Sequence, residues 1–234
     1  MPITSSKTFG TFFNDWLRRH RQFVQQLAHL PDGTTCVTPV EEETLVANFL
    51  SHCLQYYQEK SAAMSVAGDD VFEFFSPPWF SSYEKLILWI GGFKPGMVFK
   101  LITTSVNDLT CQQKDQLDNI RSETKRREKD LMGTFALLQQ SVGDPPLMVP
   151  FKRIGALGFR DGETSEQLEI EEAMEVLKRE MKETMKNADQ LRCVTVGKVV
   201  EVLNPPQAIK LLRAAGEFYF RLRDLGEEVE TVLL

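Results

Sequence analysis

The 234 residues are 42% hydrophobic and 26% charged with a formal net charge of −6, enough chain to bury a sizeable core as one helical domain spanning 1–234. The acidic balance argues against a general electrostatic grip on DNA or anionic membranes, which needs a basic face. No apolar run approaches the roughly 20 residues that cross a bilayer, and Met1–Lys7 lacks the basic and apolar regions of a secretory signal, so the nucleus and cytoplasm are the expected location.

In chain order, a first helix is predicted from Thr8 to Leu30. Its apolar stripe is Phe9, Phe13, Trp16, His20, Phe23, Leu27 and Leu30, stepping by four and three. Thr38-Pro39-Val40-Glu41 reads as a capping box with proline at the first helical position, opening a second helix. After Ser76-Pro77-Pro78, the pattern Ser81-x-x-Glu84 predicts a short, fully covered helix through Leu86–Ile90, stopped by Gly91-Gly92. A further helix follows Pro95, and Thr110-x-x-Gln113 caps a long one with a strongly charged middle. The segment 141–163 holds three prolines and four glycines and is the expected flexible loop. Thr164-x-x-Gln167 opens a helix striped by Ile170, Met174, Leu177, Met181 and Met185, and Asn204-Pro205-Pro206-Gln207 opens a last one ending at Gly226. With no alternating strand pattern, the expected fold is all-α, an irregular multi-helix bundle with long antiparallel helices.

The residues that carry chemistry are sparse. Cys36, Cys53, Cys111 and Cys193 are isolated and read as free thiols, and His20, His29 and His52 stand in no ligand cluster. No metal, cofactor or catalytic residue is expected, and no enzyme. The basic stretch Arg121, Lys125, Arg126, Arg127 and Lys129 is interleaved with Glu123, Glu128 and Asp130, the pattern of a salt-bridged helix surface. Trp16, Arg18, Arg19 and Phe23 form the preferred partner contact, since exposed aromatic and arginine side chains dominate protein interfaces. Trp89-Ile90-Gly91-Gly92-Phe93, preceded by Trp79, describes a structural corner, with two glycines for a tight turn and rings filling the space around it. Gly92 is the position expected to need a left-handed backbone.

That stretch resembles the signature of the plant delay-of-germination domain, which also forms the C-terminal part of the TGA class of leucine-zipper transcription factors. The resemblance extends through Trp16, His52, Tyr57, Lys60 and Trp79, then Leu109-Thr110 and Gln113, and on to Ala188-Asp189, Leu191-Arg192, Thr195, Gln207-Ala208 and Arg221-Leu222-Arg223. It implies an all-helical regulator in seed dormancy or abscisic acid signalling that docks a protein phosphatase or a transcription factor. A homodimer is a further expected partnership. The chain has no basic region and no zipper, which puts independent DNA binding in doubt. Some members of the family are described as haem binders through two histidines four apart in the last helix, where Phe220 and Asp224 stand here, so haem is not expected. A second class of function is a sensor whose bundle holds an apolar ligand such as a fatty acid.

Overall fold

The computed structural model describes residues 6–29, 38–66, 68–145, 147–148 and 164–232. Within them the chain is all-α: α1 (Ser6–Ala28), α2 (Pro39–Val66), a 3-10 turn (Gly68–Phe74), α3 (Ser82–Leu86), α4 (Met97–Ser105), α5 (Cys111–Ser141), α6 (Thr164–Val202) and α7 (Pro205–Val232).

Reciprocal caps start most of these helices. The Thr38 hydroxyl accepts the Glu41 N–H while the Glu41 carboxylate accepts the Thr38 N–H at 2.8 Å. Ser81 with Glu84 and Thr110 with Gln113 form the same box, and Asn204 with Gln207 repeats the exchange at 2.9 and 3.1 Å. Each box satisfies backbone donors that a helix start otherwise leaves orphaned.

The apolar stripe of α1 buries Phe9, Phe13, Trp16, Val24 and Leu27. It runs antiparallel to α2, with Trp16 Nε1 donating to the His52 carbonyl at 2.9 Å, and antiparallel to α7, where Arg21 pairs with Asp224 at 3.1 Å. The two backbones come close at Gly216, where an added Cβ would stand 2.2 Å from Val24 Cγ2. Helix α7 packs on α1, α2, α3 and α4, and so forms the hub of the bundle. The 39-residue α6, about 58 Å long at 1.5 Å per residue, lies antiparallel to α5. Gln113 Nε2 meets the Val202 carbonyl at 2.9 Å, Glu123 meets Lys198 at 2.8 Å and Thr124 meets Thr195 at 3.3 Å.

Two expected boundaries need correction. Helix α3 stops at Leu86, which is 78% exposed, because the residues that follow turn their carbonyls toward α6 instead of continuing the helical ladder. Helix α7 runs on through Gly226 to Val232, the glycine serving close approach: a Cβ there would lie 2.5 Å from Ser81 Oγ. The expected loop 141–163 lies, for residue 146 and from 149 onward, outside the described residues, as does Cys36. Cys53, Cys111 and Cys193 are free thiols.

Candidate functional site

Between α3 and α4 the chain makes a non-helical corner. Trp89 N–H donates to the Gly92 carbonyl at 2.7 Å and Gly92 N–H to the Trp89 carbonyl at 3.3 Å. The two residues between them have φ of 45° (Ile90) and 66° (Gly91), the sign a two-residue type I′ turn requires at both central positions. A β-branched residue at positive φ is a strained exception, so something must hold Ile90 there. Arg192 of α6 does so: it donates to the Ile90 carbonyl at 3.0 Å, to the Phe93 carbonyl at 2.7 Å and to the Trp89 carbonyl. The remaining carbonyl, of Gly91, accepts from Lys60 Nζ at 3.0 Å.

Lys60 is fully buried and pairs with Asp189 at 2.9 Å, and Asp189 also accepts from Arg192. One carboxylate therefore serves two buried cations, and backbone dipoles solvate the surplus positive charge. Burial pushes the Lys60 ammonium below its ordinary pKa, with Asp189 pulling the other way. The left-handed residues are Ile90 and Gly91, not Gly92; Gly92 is fixed instead by contact, since a Cβ there would stand 2.9 Å from the Arg192 guanidinium carbon. At Gly91 a Cβ would meet the Phe74 carbonyl at 2.5 Å. Gly91→Ala is accordingly expected to destabilise the fold by about 1–3 kcal/mol, readable as a lowered denaturation midpoint.

Beside the corner, Trp16 stacks on His20 (4.6 Å, 13°) and on His52 (4.9 Å, 7°). His20 Nδ1 and His52 Nε2 are buried without a hydrogen-bond partner. Burial, then the neighbouring His52, pushes His20 down to about 3; burial, then the Arg19 charge, pushes His52 down to about 4. Both rings are neutral at physiological pH, and stacking leaves them in the core instead of offering them as ligands.

Between these features opens a cavity of about 450 Å³. Its walls come from α1, α2, α4, α6, α7 and the corner itself, through residues such as His20, Phe49, Val98, Gly92, Val196 and Leu211. The surface is overwhelmingly apolar, and two half-exposed side chains, Leu54 and Phe218, stand among its lining residues. Cys53 and Cys193 also line it, and burial raises their thiols to about 12 and about 11, which keeps them protonated and poorly nucleophilic. Among the described residues no group of three or more His, Cys, Asp or Glu is placed to hold a metal ion.

Residues 24–104 match the family profile described as seed dormancy control (DOG1). Protein ZW2 of Arabidopsis thaliana is 79% identical over 97% of this chain and 100% of its own length. The chain belongs to the seed dormancy control family. Protein RESPONSE TO ABA AND SALT 1 of Arabidopsis thaliana is 58% identical, over 97% of this chain and 99% of that protein. Transcription factor TGA4 of the same plant is 30% identical over 93% of this chain, which spans 56% of that longer protein.

Within this seed dormancy control chain the profile-matched segment supplies Lys60 and the whole corner, while their partners Asp189 and Arg192 come from α6, outside it. Trp89 is buried, with the Arg192 guanidinium 5.3 Å from its ring centre. Trp79 packs on Phe9 at 4.8 Å and gives its carbonyl to Arg223 at 3.1 Å. The contact face expected on α1 does not hold together. Trp16 is only 7% exposed, because α2 and α7 cover the stripe that carries it, and half-buried Phe23 packs on His52 at 4.9 Å. Arg18 and Arg19 alone of that set reach solvent, Arg18 paired with Asp15 at 2.7 Å. On α5, Arg121 pairs with Asp118 and Arg126 with Asp130 along the surface. In the last helix Phe220 is buried beside His20, and Asp224 is taken by Arg21.

Proposed function

We propose that the chain is a non-enzymatic plant regulatory protein that holds a small apolar molecule within its bundle and presents its helical exterior to protein partners. The cavity of about 450 Å³ carries this reading, because its size and apolar lining are those of small-molecule sites built between bundle helices. The relatives named for a response to ABA and salt, and as TGA transcription factors, support a place in hormone-linked or transcription-linked signalling; the partner in this reading is a phosphatase or a transcription factor, and the location the nucleus and cytoplasm. Binding at the cavity can reach the exterior because one of its walls is the strained corner that Arg192 holds in place. Trp89, Gly91, Gly92 and Phe93 act in this reading as shape-giving residues, and Arg18 and Arg19 as the part of α1 open to a partner.

Gly197 provides the test. It lines the cavity from the C-terminal part of α6, and a Cβ added to it would meet nothing within 4 Å. Gly197→Ala should stabilise the protein by about 1 kcal/mol through helix propensity alone, and Gly197→Phe should fill the cavity. Native mass spectrometry of the protein purified from a heterologous host is expected to show a co-purified apolar molecule on the wild type and the Gly197→Ala variant but not on the Gly197→Phe variant. A wild type that carries nothing and gains no thermal stability from long-chain carboxylic acids or terpenoids would overturn the reading.

A further inference from the structure

Hydrogen bonds are unevenly shared out around one part of the cavity wall. Glu84 of α3 is fully buried, and its two carboxylate oxygens are used unequally. Oε2 accepts from the Ser81 N–H at 2.8 Å and from Arg223 at 3.1 Å, while Oε1 has no partner among the described residues. Tyr219 of α7 lines the cavity, in T-shaped ring contact with His20 at 5.9 Å and Phe93 at 5.8 Å, and its buried hydroxyl is also without a partner. Burial, then the Glu84 charge, holds the Tyr219 phenol well above its ordinary range, so phenol and carboxylate are near neighbours, yet neither completes a hydrogen bond. A third unused atom, His20 Nδ1, belongs to the same stretch of wall. Buried polar atoms are rarely left without a partner, because each then costs the desolvation of its group. Three of them gathered around one cavity-lining tyrosine mark where the polar atom of a ligand fits.

The chemistry of that atom follows from its neighbours. A carboxylate oxygen only accepts, so the ligand atom facing Glu84 must carry a proton, and a phenol that donates needs an acceptor; a hydroxyl is both at once. A carboxylate head would meet the like charge of Glu84, and Arg223 is already shared between Glu84 at 3.1 Å and Glu227 at 2.8 Å. Of the cations on the wall, Arg192 is spent on Asp189 and on the carbonyls of Trp89, Ile90 and Phe93, and half-exposed Lys94 pairs with Glu128 at 3.5 Å. An ammonium head would have to give up its water to apolar walls. We propose that the cavity is built for an apolar alcohol, whose hydroxyl donates to Glu84 Oε1 and accepts from Tyr219 while its hydrocarbon body lies against the rest of the lining. This rests on the cavity holding an apolar molecule, as proposed above, and names the head group.

Farnesol, farnesyl methyl ether and farnesoic acid share one hydrocarbon chain and differ in that group. Titrated into the full chain at neutral pH and followed by tryptophan fluorescence, since Trp16 lines the cavity, farnesol is expected to bind at least about tenfold tighter than either of the others. Tyr219→Phe should weaken farnesol about tenfold and leave farnesoic acid within about twofold. Glu84→Gln should narrow the gap between alcohol and acid, a change of preference that loss of packing alone does not produce. The wild-type ratios are read without any variant, and circular dichroism checks that both variants are folded. Equal affinity for the three probes, a preference for farnesoic acid, or a Tyr219→Phe chain that keeps the full preference for farnesol would overturn the alcohol assignment and leave the cavity reading standing. Failure of all three probes to bind would remove both.

Discussion

Asp189→Ala is expected to cost about 3–5 kcal/mol of stability, the range for removing one partner of a buried ion pair. The loss is set at that level because Lys60 and Arg192 are both buried and both depend on this carboxylate. Without it, two cations would face each other across the seam between α2 and α6 with only carbonyl oxygens to solvate them. Set against the 5–15 kcal/mol typical of a folded domain, much of the margin would be gone. Lys60→Met gives the contrast. It removes a cation but leaves Asp189 paired with Arg192, so its cost should be clearly smaller. Urea denaturation followed by tryptophan fluorescence measures both, and an Asp189→Ala midpoint no lower than that of Lys60→Met would show that the carboxylate does not hold the two cations together.

Acid should unfold the protein from well above the carboxylate range. In the unfolded chain His20 and His52 take up a proton near the ordinary 6.5, whereas in the fold they resist until about 3 and about 4. Below pH 6.5 the unfolded state binds more protons than the native one, so the contribution of both rings is complete above that value and declines as pH falls. The slope is about 1.4 kcal/mol per pH unit for each fully titrating ring, and His20 alone should cost about 2 kcal/mol by pH 5. Among the described residues the charges around the stack do not compensate: Arg19 repels a charged His52, Arg21 is already paired with Asp224, and Tyr219 of α7 meets His20 in a T-shaped ring contact. Denaturation midpoints at pH 7.5 and 5 should therefore differ strongly for the wild type. The difference should shrink in a His20→Leu, His52→Leu variant, and an equal slope in that variant would place the acid sensitivity elsewhere.

The helices were legible because their signals are local. Ser81 with Glu84, Thr110 with Gln113 and Asn204 with Gln207 each announce a helix start within four residues of sequence, and the α1 stripe states its buried face through its spacing. The corner was legible as a corner, but what fixes it was not. Asp189 lies 129 residues from Lys60 and Arg192 lies 102 from Ile90, and charged residues on a helix read by default as solvent-facing. Several positions that carried the family resemblance prove to be buried polar side chains: His52, Lys60, Asp189, Arg192, Thr195 and Gln207. Trp16 was misplaced because an arginine-flanked tryptophan has the same local pattern whether its face meets a partner or, as here, α2 and α7. The cavity had no signature at all, since a space left between five helices is a property of their packing and not of any segment.

The hub position of α7 bears on how the protein is made. Helices α1, α2, α3 and α4 all rest on an element that begins at Pro205, so none of them can reach its final surroundings while the ribosome is still building α5 and α6. Between the end of α1 at Ala28 and the start of α7 at Pro205 lie 176 residues, on the order of 10–35 seconds of synthesis at about 5–20 residues per second. During that interval the faces of α1 that will meet α7, around His20 and Val24, have no native cover. A nascent chain of this shape is a natural client for chaperones, and a premature stop anywhere before α7 would release the whole first half of the protein without the surface it folds against.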